Sequence, residues 1–259
     1  ITEIEFEHVK EVYVEQAFLQ YKISTALNFR AGLILIPMGL INEYHEPIYF
    51  HSVERPVIDT YIVPSTWREI GAGIHGTFID ASVNYKLYVV NGLNGFDTQA
   101  RFNGKSAIRG GRQKGAESYI SSPAMTGKID YFGLPGLRLG LSGYYGDSQS
   151  TLFNGINKND NLSIARADSS SVTTGIIGAD LRYHYKGLKL KGQYYFGTIP
   201  DAGKYNQFVR QNTGIESNLG SALTGFYAEV AYNVFQPIEK KESPNHKKEK
   251  HHDTQTHES

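Results

Sequence analysis

Apolar and polar residues alternate along this chain in runs of about ten, separated in turn by very short and by long connections. Leu27 to Ile36 displays the pattern: Leu27, Phe29, Ala31, Leu33 and Leu35 fall on one side of an extended chain, with Asn28, Arg30 and Gly32 on the other. Successive side chains of a strand project to opposite faces, so the run predicts a strand with one greasy and one polar face. Ten such strands are predicted: Thr2–Glu7, Val12–Lys22, Leu27–Ile36, Trp67–Ile79, Ser82–Asn91, Ala124–Phe132, Leu137–Tyr145, Thr173–Tyr185, Leu188–Gly197 and Ala222–Val234. Ile23–Ala26, Asp80–Ala81, Gly133–Gly136 and Lys186–Gly187 are minimal connections, several with the glycine or proline that tight turns use. Between these hairpins lie Pro37–Thr66, Gly92–Pro123, Gly146–Val172 and Thr198–Ser221, read as long loops without regular structure. Such loops are unusual in a compact soluble domain. They are the rule on the outer side of an outer-membrane barrel, whose periplasmic turns are short.

The facing repeats from strand to strand. Ile70, Ala72, Ile74 and Phe78 oppose Glu69, Gly71, Gly73, His75 and Thr77; Leu139, Leu141 and Tyr145 oppose Arg138, Gly140 and Ser142. Ile177, Ala179, Leu181 and Tyr183 oppose Asp180, Arg182 and His184. Aromatic residues gather near strand ends, among them Tyr21, Trp67, Phe78, Tyr131, Phe132 and Tyr145, where amphipathic rings suit a membrane–water boundary. A soluble sandwich with one solvated face is the plainer alternative, because its strands alternate too.

Composition narrows the choice. Eighteen Tyr and 27 Gly in 259 residues, with two Met and nine Pro, favour strands and turns over helices. No apolar run of the length a membrane helix needs is present, and mean hydropathy is −0.38. A barrel escapes that test, since only every second residue of its strands is greasy. There is no cysteine, hence no disulfide framework or thiolate metal site. Lys plus Arg equal Asp plus Glu at 26 each, and a neutral chain carries no global field for nucleic acid. Ile1 opens directly into strand-like sequence, as expected of a mature form or a piece of a longer protein. From Pro237 to Ser259 the chain is almost devoid of apolar residues, and residues 237–259 are expected to be a disordered polar tail after a barrel portion at 1–236.

The stretch from Tyr13 to Gly73 resembles the phosphate-selective porin family. The residues that carry the resemblance are Val14–Leu19, Arg30–Gly39, Asn42–Pro47, Glu54–Pro56 and Pro64–Gly71. The resemblance implies an outer-membrane barrel that passes small solutes, commonly anions, and is often trimeric. Family members have more strands and end in a strand with a terminal aromatic residue. A ten-strand barrel would be narrow and largely filled by side chains, so a piece of a larger barrel is the expectation.

If the apolar faces meet lipid, the polar faces line a lumen. That lining places Arg30, Lys86, Lys128, Arg138, Arg182, Lys189 and Lys191 against Glu69, Asp130, Asp180 and Glu229, an excess of cations in a neutral chain. Charged rings in a low-dielectric pore select by sign, and arginine adds a fork matched to phosphate and carboxylate oxygens. The alternative is that these cations pair with the inner acids and stiffen the wall. In Pro37–Thr66, the residues Glu43, His45, Glu46, Glu54 and Arg55, with His51 and Asp59, form a charged loop stiffened by Pro47, Pro56 and Pro64, suited to a constriction if it folds inward. Lys105, Arg109, Arg112 and Lys114 make a basic patch in Gly92–Pro123 for lipopolysaccharide or free anions, or simply a solvated loop.

The sequence therefore predicts an all-β, antiparallel up-and-down transmembrane β-barrel, partial at about ten strands, with long outer loops. The expected activity is that of a porin in the outer membrane of a Gram-negative bacterium, admitting small, preferentially anionic, phosphate-like solutes. A non-conducting barrel for adhesion or anchoring through its loops is the alternative. Expected partners are outer-membrane lipid and lipopolysaccharide, small anions and two further copies in a homotrimer, with no nucleic acid, cofactor or metal. No nucleophile–His–acid arrangement is legible, so no enzymatic activity is expected.

Overall fold

The computed structural model describes residues 1–7, 11–43, 55–115 and 118–234. The elements in chain order are β1 (Thr2–Glu7), β2 (Glu11–Lys22), β3 (Asn28–Leu35), α1 (Ile58–Tyr61), β4 (Arg68–Phe78), β5 (Val83–Asn91), β6 (Asn94–Phe96), β7 (Pro123–Tyr131), β8 (Leu137–Asp147), β9 (Gln149–Ser150), α2 (Asn161–Ser169), β10 (Thr173–Tyr185), β11 (Leu188–Thr198), α3 (Ala202–Thr213) and β12 (Ala222–Tyr232). Ten of the strands form one antiparallel sheet in the order β1-β2-β3-β4-β5-β7-β8-β10-β11-β12, an up-and-down meander whose neighbours follow one another along the chain. Its strands fall within two residues of those read from the alternation. β6 and β9 make a separate parallel pair between two of the long loops. Among the described residues β1 pairs only with β2 and β12 only with β11, so the sheet is open at both edges.

The short turns lie together at one end of the sheet. The tightest has Lys186 at φ +43° and Gly187 at φ +82°, the positive values that a two-residue hairpin turn needs to match strand twist. At the other end the described parts of the long connections are structured, which corrects their reading as irregular loops. Phe96 meets Phe208 edge to face at 5.0 Å, and the Tyr205 hydroxyl donates to the Gly95 carbonyl at 2.6 Å. Phe102, Ile108, Ile199, Val209 and Leu219 complete a core that α3 shares with these loops. α3 buries Ala202, Tyr205, Phe208 and Val209 on one stripe and stops at Gly214 in the left-handed conformation.

One face of the sheet is apolar and exposed. Leu19, Leu87, Met125, Leu141, Ile177, Phe226 and Val230 project from it, Leu141 at 61% and Phe226 at 75%. The opposite face buries Tyr88, Val90, Ala124, Tyr144, Ile176 and Tyr195 in an apolar cluster and, beside them, Glu69, Thr126, Lys128, Asp180 and Gln193. In water an apolar face of that extent would itself be covered. One expected outward residue departs from the scheme: Leu35 is buried at the long-loop end of β3. Leu33, two residues before it, lies against Gly115 of the long loop Gly92–Pro123.

Candidate functional site

The strand registers set the inner polar residues in cross-strand rows. One row runs Asn28, His75, Lys86, Lys128 and Ser142 from β3 to β8. A second runs Asn84, Asp130, Gly140, Asp180, Gln193 and Tyr227 from β5 to β12. Nearer the short turns, Arg138, Arg182, Lys191 and Glu229 lie directly opposite one another on β8, β10, β11 and β12. Arg138 and Arg182 face each other as like charges, which repel across strands, while Glu229 offsets Lys191 at the other end of the row. Two cavities open beside it. A polar one of about 300 Å³ is bordered by Glu43, His75, Lys86, Lys128, Arg138 and Arg182. The other, about 590 Å³, lies at the short turns and is mostly apolar, bordered by Phe132, Leu134, Leu137 and Leu190 as well as Arg138, Arg182, Lys189 and Lys191.

The segment after β3 turns onto this inner face. Asn42 clamps its root: its amide donates to the carbonyls of Ile36 (2.8 Å) and Trp67 (2.9 Å) and accepts from the Trp67 backbone at 2.7 Å. From there Gly39 offers its carbonyl to Lys128 Nζ at 2.6 Å, Leu40 N donates to Gln193 Oε1 at 2.9 Å, and Glu43 pairs with Lys86. A flat sheet would hold β5 and β11 about 19 Å apart, four strand spacings. That residues 39, 40 and 43 touch β7, β11 and β5 together requires the sheet to curl around them. Gly39 sits at φ +67°, and a Cβ there would fall on the Tyr195 hydroxyl. The returning arm carries α1, whose Ile58 and Ile62 lie against Gly225 of β12. Asp59 on α1 is buried and receives Gln193 Nε2 at 2.6 Å on both carboxylate oxygens. We call residues 36–43 and 55–66 the strap.

The expected lining cations differ in what surrounds them. Lys128 is held by Asp180 at 2.9 Å and Asp130 at 3.6 Å. Burial alone would raise the Glu43 carboxyl, but the Lys86 charge and hydrogen bond, with Lys128 and Arg30, hold it below the ordinary carboxylate value. Arg30 stacks over Phe18 at 4.1 Å and donates to Gln20 at 2.9 Å. Arg138 faces Arg182, Arg182 faces Lys191 and Lys191 faces Glu229, and Lys189 is exposed opposite His184. Of the expected constriction residues, Glu43 lies on the inner face, and Arg55 donates to Ser65 Oγ at 2.6 Å within the strap. His45, Glu46 and Glu54 lie outside the described residues, as do His51 and the polar tail. In the basic patch, Arg112 donates to the Ser65 carbonyl at 2.6 Å and Arg109 to that of Thr60 at 3.1 Å, so these two tie the second long loop to the strap. Burial beside Arg109 and Arg68 lowers the Arg112 guanidinium to about 10.

Sequence reasoning gave no role to Asn42 or Gln193 and set Trp67 among the boundary aromatics, whereas Trp67 is fully buried in the core. Trp67 donates to Glu69 Oε1 at 3.2 Å and packs on Tyr144 at 4.7 Å, while Asn91 donates to Glu69 Oε2 at 2.7 Å. Gln193 stood in the alternation as one more inward polar residue, and its partners 134 and 153 positions away gave it no local signal.

No family model matches the chain. It is 31% identical over 247 residues to an uncharacterized protein of Aquifex aeolicus. The match takes in 91% of this chain and 52% of that protein, so the chain spans about half the length of the curated relative it matches.

Proposed function

We propose that this sheet is part of the wall of an outer-membrane barrel that passes small, preferentially anionic solutes. The observation that carries the reading is the apolar outer face, exposed along the whole sheet, behind an inner face that buries charged and amide groups such as Lys128, Asp180 and Gln193 as well as an apolar cluster. Hydrocarbon is the medium that makes the outer face favourable, and only a closed barrel satisfies backbone groups within it. Closure then calls for further strands on the β1 and β12 edges. The longer length of the Aquifex protein and the family resemblance both support that requirement. The anion preference rests on the Arg138–Arg182–Lys191–Glu229 row, which brings three cations to one carboxylate and so favours a permeating phosphate or carboxylate. Lipid and lipopolysaccharide around the wall, and assembly as a homotrimer, belong to the same proposal.

The strap favours a second reading. Its arms cross the inner face from β5 to β12 and fill it. A barrel so filled conducts little and serves instead as an anchor for its structured loops. The membrane reading common to both is tested by Leu141→Trp in vesicles containing brominated lipid. Strong quenching at position 141, with buried Trp67 as the internal reference, is expected; equal quenching of the two would refute it.

A further inference from the structure

Gln193 joins both arms of the strap to the sheet. Its Oε1 accepts from Leu40 N at 2.9 Å and from the Tyr195 hydroxyl at 3.2 Å, which fixes its orientation and leaves Nε2 to face Asp59. Asp59 is 1% exposed. Around it stand Arg55 on its own arm, Tyr195 on β11, and Tyr227 and Glu229 on β12. Asp180 on β10 faces the two tyrosines and is itself held by Lys128. The Tyr227 hydroxyl and Glu229 Oε2 are buried and meet no hydrogen-bond partner among the described residues. An ionised Asp59 therefore adds its charge beside two other carboxyl groups, Asp180, which Lys128 holds, and Glu229, which lies opposite Lys191.

We propose that Gln193 is the docking hub of the strap and that Asp59 makes the docking proton-dependent, so that the α1 arm is held against β11 and β12 in acid and loosens in alkali. Burial pushes the Asp59 carboxyl up, the Gln193 amide opposes it, Glu229 pushes further and Arg55 pulls back, leaving it at about 7 against an ordinary 3.8. The docked arm binds the proton more tightly than the released arm. Docking is thus at full strength below 3.8 and is lost progressively as pH rises through about 7. Glu43 titrates the other way, so its pairing with Lys86 persists above its lowered value and holds the first arm while the second releases. The docking belongs to the sheet itself; its consequence as a gate, wider in alkali, rests on the channel reading above.

The chain has no cysteine, so Ile62→Cys places a single thiol beneath the α1 arm. The full chain, folded in detergent, is alkylated with a maleimide across the pH range, alone and with Asp59→Asn. The ratio of the two rates cancels the thiol's own pH dependence. Protection in the Asp59 chain should fall about 30-fold between about pH 5.5 and 8.5 relative to Asp59→Asn. A flat ratio would overturn the role of Asp59. Gln193→Leu should remove protection at every pH while Trp67 emission stays that of the folded chain; retained protection would overturn the hub. Neither readout uses a current, so failure here is distinct from failure of the channel reading.

Discussion

Lys128→Met is the sharpest test of whether a lining cation serves solutes or the wall. Lys128 is 4% exposed and its ammonium meets Asp180 at 2.9 Å, Asp130 at 3.6 Å and the Gly39 carbonyl at 2.6 Å. With an effective dielectric constant near 20, the two carboxylate attractions are about 6 and about 5 kcal/mol before desolvation is subtracted. Removing one member of such a buried set leaves uncompensated charge and costs about 3–5 kcal/mol. The lost donor to Gly39 also loosens the strap, so a loss of about 4 kcal/mol is expected, measured by urea unfolding in detergent with Trp67 emission as the probe. Adding Asp180→Asn should recover a substantial part, because it removes the stranded charge. A loss under about 1 kcal/mol with no recovery would refute the reasoning and return Lys128 to the solute path.

Gly39→Ala combines a positive φ with a Cβ directed at the Tyr195 hydroxyl, and should cost about 1–3 kcal/mol by the same unfolding assay while raising alkylation at Ile62→Cys. Leu141→Arg, on the exposed apolar face, should destabilise the folded chain in bilayers by about 2–4 kcal/mol and scarcely at all if that face meets water.

The strands were legible because a period of two is a local signal, repeated over 11 residues in β8 and 13 in β10. Even the two-residue turn at Lys186–Gly187 announced itself. The long connections were misread for different reasons. α3 carries Tyr205, Phe208 and Val209 at helical spacing and was open to discovery within its polar surroundings. α1 spans four residues, too few for any periodicity, and β6 meets β9 only because two distant loops come together. Among the site residues, facing was legible but pairing was not. Lys128 reaches Asp180 across β8, through a register that only the assembled sheet defines. The lining cations looked equivalent in sequence; the assembled sheet pairs Lys86 with Glu43, Lys128 with Asp180 and sets Lys191 opposite Glu229, while Arg138 and Arg182 face each other.

Recording single channels of the full-length polypeptide in a planar bilayer under a salt gradient tests the central claim most directly. The account predicts discrete steps with an anion-selective reversal potential, moved toward zero by replacing Arg138, Arg182 and Lys191 with glutamine together. An absence of steps at both acid and alkaline pH, or a cation-selective potential unchanged by those substitutions, would contradict it.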